Sequence, residues 1–226
     1  MFSFFRRNQK ESEQCFIQDN PIDTELSYKN FIERVDDQLI EKAIDEKLLI
    51  LNYLIDSVEI DMCSSAVLEP FISHCRPLLE PFPILFYDND EIIRVYREKM
   101  NVSLSTSHVY VCPWSPKRQV SNILYLNKKD WVFDVSNHKS YYYSDLNLLY
   151  VYNGNHSINA GRYFKKGAVL AYEVDMIPLY KDCTTDGKAL IYKNNQTISD
   201  FSDFRLAVLF TLGKYRWEIN HKHIND

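Results

Sequence analysis

An α+β fold, in which a helical N-terminal part packs on a small mixed sheet, is what this sequence predicts. Three observations carry that expectation. Apolar residues recur at helical spacing over residues 28–62. From Ser105 onward, short β-branched and aromatic runs alternate with turn residues. Only 5 glycines stand against 16 tyrosines and 13 phenylalanines, which favours aromatic-packed elements over long loops.

In chain order, residues 1–23 read as a flexible or locally packed terminus, with Phe2, Phe4 and Phe5 as candidates for docking on a partner. Residues 24–104 form the helical part. Phe31, Val35, Leu39, Ala43, Leu48, Leu51, Leu54, Ile55 and Val58 are spaced for one long amphipathic helix over 28–62, or for two with a bend. The run Leu48–Ile55 is apolar nearly all round and should be covered on several sides. Ser64 and Ser65 can cap a second helix to about Leu79, restricted by Pro70 and Pro77, before Pro81 and Pro83 force an extended turn. Asp88 with Glu91 resembles a capping box and predicts a helix to about Met100.

Residues 105–226 are the α/β part, which may pack with 24–104 as one domain. Strands are expected at His108–Cys112, Ile123–Leu126, Trp131–Val135, Leu148–Tyr152, Ala168–Val174 and Ala189–Tyr192. Helices are expected from about His156 to Lys165, and from Ser199 or Asp200 to Leu212 with Gly213 as its C-cap.

A net charge of −5 argues against coating nucleic acid or an anionic membrane through bulk electrostatics and leaves nucleic acid as a partner at a local site. The 5 cysteines are scattered without C-x-x-C spacing, so neither a disulfide framework nor a zinc site is indicated. No apolar run approaches the roughly 20 residues of a spanning helix. A cytoplasmic protein with reduced thiols is the expectation.

The segment Leu148-Leu-Tyr-Val-Tyr-Asn-Gly-Asn-His-Ser-Ile-Asn-Ala-Gly-Arg-Tyr concentrates the chemistry. A strand ends at Asn153-Gly154 and a helix begins within two or three residues, presenting free N–H groups near Asn155, His156 and Ser157 at the positive end of the helix dipole. That arrangement suits a phosphate or carboxylate. Asn155, Asn159 and Arg162 fall at helical spacing that can share a face, and His156 can carry a proton or donate a hydrogen bond. The same residues also read as pure structure: a turn, a cap and a histidine in a polar niche.

This strand, turn, helix and strand resembles the Asp-Gly-Asn-His-Arg signature of the ParB/sulfiredoxin-like superfamily. Gly154, Asn155 and His156 match, Ile158 and Ala160 fit the following helix, and Ala168–Val174 fits the next strand. The likeness spans roughly residues 107–180. Asn153 stands in place of Asp and Ser157 in place of Arg, which removes a forked phosphate ligand and weakens the step from binding to hydrolysis. Sulfiredoxins carry Cys where Asn155 sits, so their chemistry is not implied. The resemblance implies a bound nucleotide, a nucleoside triphosphate with Mg²⁺ among the options, and in some members nuclease or NTPase activity. In a hydrolase of that kind, His156 would be acid/base and Arg162 or Arg118 would meet the developing charge.

Lys117 and Arg118 in Cys112-Pro-Trp-Ser-Pro-Lys-Arg are candidate phosphate or nucleic-acid contacts, with Trp114 as a stacking face, or else solvated cations on a stiff loop. Cys112 lacks a local base and is a weak nucleophile candidate. Tyr141–Tyr143 reads as aromatic packing. Asp182, Asp186, Asp200 and Asp203 can hold Mg²⁺, Asp200 and Asp203 serve equally well as helix N-terminal residues, and His221 with His223 can touch a metal or form a solvated tail. Two functions remain open at this point: a binder of nucleotide or nucleic-acid phosphate at Asn153–Ser157, and a non-catalytic module that keeps the scaffold and binds another protein.

Overall fold

The apolar stripe breaks at residues 40–43, so residues 24–72 form two helices. In the computed structural model, which describes residues 24–72, 80–88, 91–201 and 203–222, α1 spans Thr24–Leu39 and α2 spans Ile44–Ile72. Tyr28, Val35 and Leu39 line the buried side of α1. Leu51, Ile55, Met62 and Cys63 do so on α2, and both helices share one core with the C-terminal helix. The run Leu48–Ile55 is covered on one side only, since Leu49 and Tyr53 are 71% and 67% exposed. Ser64 and Ser65 start no new helix. The Ser65 hydroxyl donates to the Asp61 carbonyl one turn back, and α2 continues until Pro70 in its last turn.

The capping-box reading of Asp88 and Glu91 is overturned. Leu85–Asp88 (β1) and Glu91–Arg94 (β2) pair as an antiparallel hairpin, and Tyr96–Ser103 (β3) follows as a strand. Phe86 opposite Ile93 across the hairpin and Tyr96 opposite Val174 across the main sheet pair aromatic with β-branched residues, and these pairings outweigh the helix signal.

The main sheet has five strands in the order β3-β7-β5-β6-β4, with β4 at His108–Tyr110, β5 at Lys139–Tyr143, β6 at Leu148–Asn153 and β7 at Ala168–Val174. It is mixed: β3/β7 and β5/β6 are antiparallel, β5/β7 and β4/β6 parallel. Alternation sends successive β6 side chains to opposite faces. Leu148 and Tyr150 join the large core with α1 and α2, while Leu149 and Val151 join a smaller one with Val109, Val111, Ile158, Val169 and Ala171. Burial on both faces explains why Leu148–Val151 of β6 reads as a continuous apolar run, whereas β7 buries Val169 and Ala171 on one face and exposes Leu170 on the other. The tyrosine run of β5 is packing, as expected: Tyr143 is fully buried with its hydroxyl donating to the Phe82 carbonyl, and Tyr141 stacks on Tyr152.

Between β4 and β5, Pro116–Leu126 forms α3 where a strand was expected at Ile123–Leu126. Ser115 is its N-cap and Pro116 its first residue, a start signal that precedes buried Gln119 and Leu126 at helical spacing. Trp131–Val135 is not a strand either: Val132 and Val135 are exposed, and the segment turns back at 135–137. After β6 come α4 (Asn155–Tyr163), β7 and α5 (Ile177–Asp182). A three-stranded sheet of Cys183–Thr185 (β8), Ala189–Tyr192 (β9) and Thr197–Asp200 (β10) follows. The last helix, α6, starts at Phe204 rather than Ser199 and runs to Lys222. Gly213 lies inside α6, where a Cβ would collide with the Tyr180 hydroxyl, so close packing and not capping requires glycine.

Contacts cross the border at 104/105. β3 pairs with β7, and α2 packs along α6. No helix among the described residues is long and apolar enough to cross a membrane. Phe2, Phe4, Phe5, Pro77 and His223 lie outside the described residues.

Candidate functional site

The C-terminal ends of β4 and β6, neighbours in the sheet, each lead into a helix, and the two helix starts face one cleft. β6 leads to α4 through Gly154, and β4 leads to α3 through Cys112-Pro-Trp-Ser. The cleft has a volume of about 310 Å³ and is lined by Trp114, Arg118 and Asn122 from the α3 side, Asn153 to Ser157 from the α4 side, and Asn137.

Gly154 is the α4 N-cap at φ +85°, a left-handed conformation that side chains resist. A Cβ there would also stand 2.7 Å from His138 Cδ2 and 3.1 Å from the Asn137 carbonyl oxygen. Having no side chain, Gly154 caps nothing, so the first-turn N–H groups of α4 have no capping side chain.

Asn155 and His156 tie the two helix starts together. The Cys112 N–H donates to Asn155 Oδ1 at 2.8 Å, and the Ser115 N–H donates to His156 Nε2 at 3.2 Å. With Nε2 occupied as an acceptor, the imidazole carries its proton on Nδ1. Burial holds its pKa below the usual histidine range, and the Arg118 charge acts in the same direction. His156 is therefore a neutral donor with its basic nitrogen engaged, a poorer acid/base than the sequence suggests. Trp114 meets the His156 ring edge-on at 5.0 Å, and the Arg118 guanidinium lies 4.6 Å over the Trp114 ring. A cation, an aromatic face and a neutral imidazole thus share one wall.

Sequence reasoning missed what supports the turn from below. His138 is buried; its Nδ1 accepts from the Asp134 N–H at 3.0 Å and its Nε2 lies 2.8 Å from Ser157 Oγ. Because the Ser157 hydroxyl donates to the Gly154 carbonyl at 3.0 Å, His138 Nε2–H is the donor to Ser157. Trp131 stacks on His138 with centroids 5.0 Å apart, and its Nε1–H donates to the Ser157 carbonyl at 3.2 Å. Burial lowers the His138 pKa and keeps the ring neutral, as both bonds require. The one legible trace was Asp134-x-Ser136, a turn signal in which Asp134 Oδ1 accepts from the Ser136 N–H and hydroxyl.

Of the expected site residues, Asn153, Gly154, Asn155, His156, Ser157 and Arg118 line the cleft, and Asn159, Arg162 and Lys117 do not. Asn159 is buried and accepts from Arg162 Nε at 3.2 Å in the last turn of α4. Arg162 cannot replace the missing Arg at Ser157: helix geometry sets it more than a turn away, and burial there lowers its pKa. Lys117 is exposed on the rim of α3. Cys112 is buried, with its backbone committed to Asn155.

Among the described residues no carboxylate lines the cleft, and the candidate Mg²⁺ ligands are elsewhere. Asp203 pairs with Arg205 at the start of α6, Asp182 with Lys193, and Asp186 accepts from the Lys188 and Ala189 N–H groups. Asp200 ends β10. His221 is bound to the Trp217 carbonyl on α6.

A family model covers residues 2–223. The chain belongs to the family of unknown function DUF6710. No curated protein and no solved structure matches it.

Proposed function

We propose that the cleft binds the phosphate of a nucleotide or of a nucleic-acid strand, with Trp114 against a base or sugar. The observation that carries this reading is the convergence of two helix N-termini, at Ser115 and Gly154, on a cleft whose charged side chain is Arg118. The uncapped first-turn N–H groups of α4 and two positive dipole ends favour an anion, and Arg118 adds a forked donor set; the α3 start adds its dipole only, since Pro116 has no N–H and Ser115 caps the Arg118 N–H. The likeness of Gly154-Asn155-His156 to the ParB/sulfiredoxin-like motif supports the same ligand. The reading is one of binding without hydrolysis. The cleft offers Mg²⁺ no carboxylate among the described residues, and the basic nitrogen of His156 is already bonded.

Thermal unfolding of the full chain with nucleoside triphosphates, with and without Mg²⁺, tests it. A ligand at one hundred times its Kd adds about 2.7 kcal/mol of apparent stability. The expected result is a shift that persists without Mg²⁺ and shrinks in Arg118→Ala. No shift with any triphosphate or oligonucleotide overturns the reading.

A protein-interaction function draws on another surface. Leu49, Tyr53 and Ile60 of α2 are exposed, and this row of large apolar side chains would suit a partner. Tyr53→Glu should leave the nucleotide response intact.

A further inference from the structure

At the opposite end of β4 from the cleft lies a cluster of the opposite chemistry. Asp56 and Glu59 are three residues apart on α2 and project from one helix face. His108, the first residue of β4, points its Nε2 between them, 3.3 Å from Asp56 Oδ1 and 3.5 Å from Glu59 Oε2. The three ligand atoms lie within 4.8 Å of one another.

Glu59 is the unusual member. It is 0% exposed, and neither carboxylate oxygen has a hydrogen-bond partner among the described residues. A buried carboxylate with no partner is costly. Arg216 acts on it through charge and not through a hydrogen bond, because its guanidinium donates to Asn52 Oδ1 and to the Asp145 carbonyl. Nor can His108 satisfy both acids, since one Nε2–H serves one strong hydrogen bond and Asp56 is the closer acceptor.

A single cation resolves this. Oxygen and nitrogen ligands about 2.0–2.2 Å from a tetrahedral ion stand roughly 3.3–3.6 Å from each other, which matches the separations of His108 from the two acids. Two carboxylates and one imidazole suit a borderline divalent ion better than Mg²⁺, which prefers oxygen and retains its water. Asp56 is 62% exposed at its side chain and marks the route to solvent and the open side of the coordination sphere.

We propose that Asp56, Glu59 and His108 bind one divalent transition-metal cation of the zinc class, with water completing the coordination. The site is independent of the phosphate cleft: Cys112, where the cleft begins, is four residues along the strand from His108, roughly 13 Å away.

The test is calorimetric titration of the full chain, stripped with a chelator, with ZnCl₂. One saturable equivalent is expected. Glu59→Gln and His108→Ala should each weaken it by more than about 100-fold, beyond the effect of losing an outer-shell partner. Glu59→Gln keeps the shape of the neutral acid, and circular dichroism verifies its fold. Asp56→Asn, on the surface, provides a second variant and should weaken binding by about 10-fold. His221→Ala should change nothing. Absence of saturable binding overturns the proposal, as does Zn²⁺ affinity unchanged in Glu59→Gln and Asp56→Asn.

Discussion

The two ends of β4 carry opposite chemistry on the same scaffold. At its C-terminal end the backbone turns into helix starts, and the groups on offer are donors: N–H groups, Arg118 and a neutral His156. At its N-terminal end the strand meets the flank of α2, and the groups gathered there are two carboxylates, Asp56 and Glu59, and the imidazole of His108. The first end is built mainly from backbone geometry and the second from side chains alone. Substitutions should therefore act differently at the two ends. Changes at the cleft propagate into the fold, and changes at the cluster alter one ligand at a time.

The largest effect expected is at Gly154. Gly154→Val combines a left-handed backbone, worth about 1–2 kcal/mol, with a side chain driven into His138, worth about 1–3 kcal/mol. Urea unfolding should show a loss of about 3 kcal/mol. A loss under ~0.5 kcal/mol would mean that the turn tolerates another geometry.

Acid and alkali should separate the two ends. His138 and His156 have depressed pKa values in the fold, so the stability they contribute is present above about 6.5 and is lost as pH falls through their folded values. Glu59 behaves oppositely, because burial first, and then the Asp56 charge, raise its pKa from 4.5 to about 9. Its contribution is present below about 4.5 and is lost as pH rises toward 9. In chelator, Glu59→Gln should remove the alkaline slope, and His138→Gln should reduce the acid one. Chemical denaturation from pH 5 to 9 checks both; coincident wild-type and Glu59→Gln profiles would contradict the assignment.

Smaller effects concern affinity. Arg118→Ala should weaken phosphate binding by about 10-fold, the scale of one charge-assisted hydrogen bond. Lys117→Ala, one residue away but outside the cleft, should change it less than about 2-fold, a surface-charge effect that salt screens. Equal losses in the two variants would point to diffuse electrostatics in place of a site.

How much of this was legible in the sequence follows the same division. The turn at Asn153–Ser157 was readable because strand, glycine and helix start are consecutive, and local geometry fixes what they do. The α+β class and strands β6, β7 and β9 were readable from composition and apolar runs. The misread elements were decided by distant partners or by overlapping signals. Glu91–Met100 became strand by pairing with β1 and β7, and Ile123–Leu126 became helix because Ser115-Pro116 starts α3 eight residues earlier. His138 was invisible because its partners, Ser157 and Trp131, are brought to it only by the fold. The same holds for Glu59 and His108, 49 residues apart in the chain. Arg162 failed for the opposite reason: its helical spacing was correct, but the face it occupies packs inward.

The most direct test of the account is calorimetric titration of a nucleoside triphosphate into the wild-type chain, Arg118→Ala and Glu59→Gln, all in excess chelator. One binding event is expected, weakened about 10-fold in Arg118→Ala and unchanged in Glu59→Gln. Absence of binding to the wild type, or affinity that falls with Glu59→Gln and not with Arg118→Ala, would contradict it.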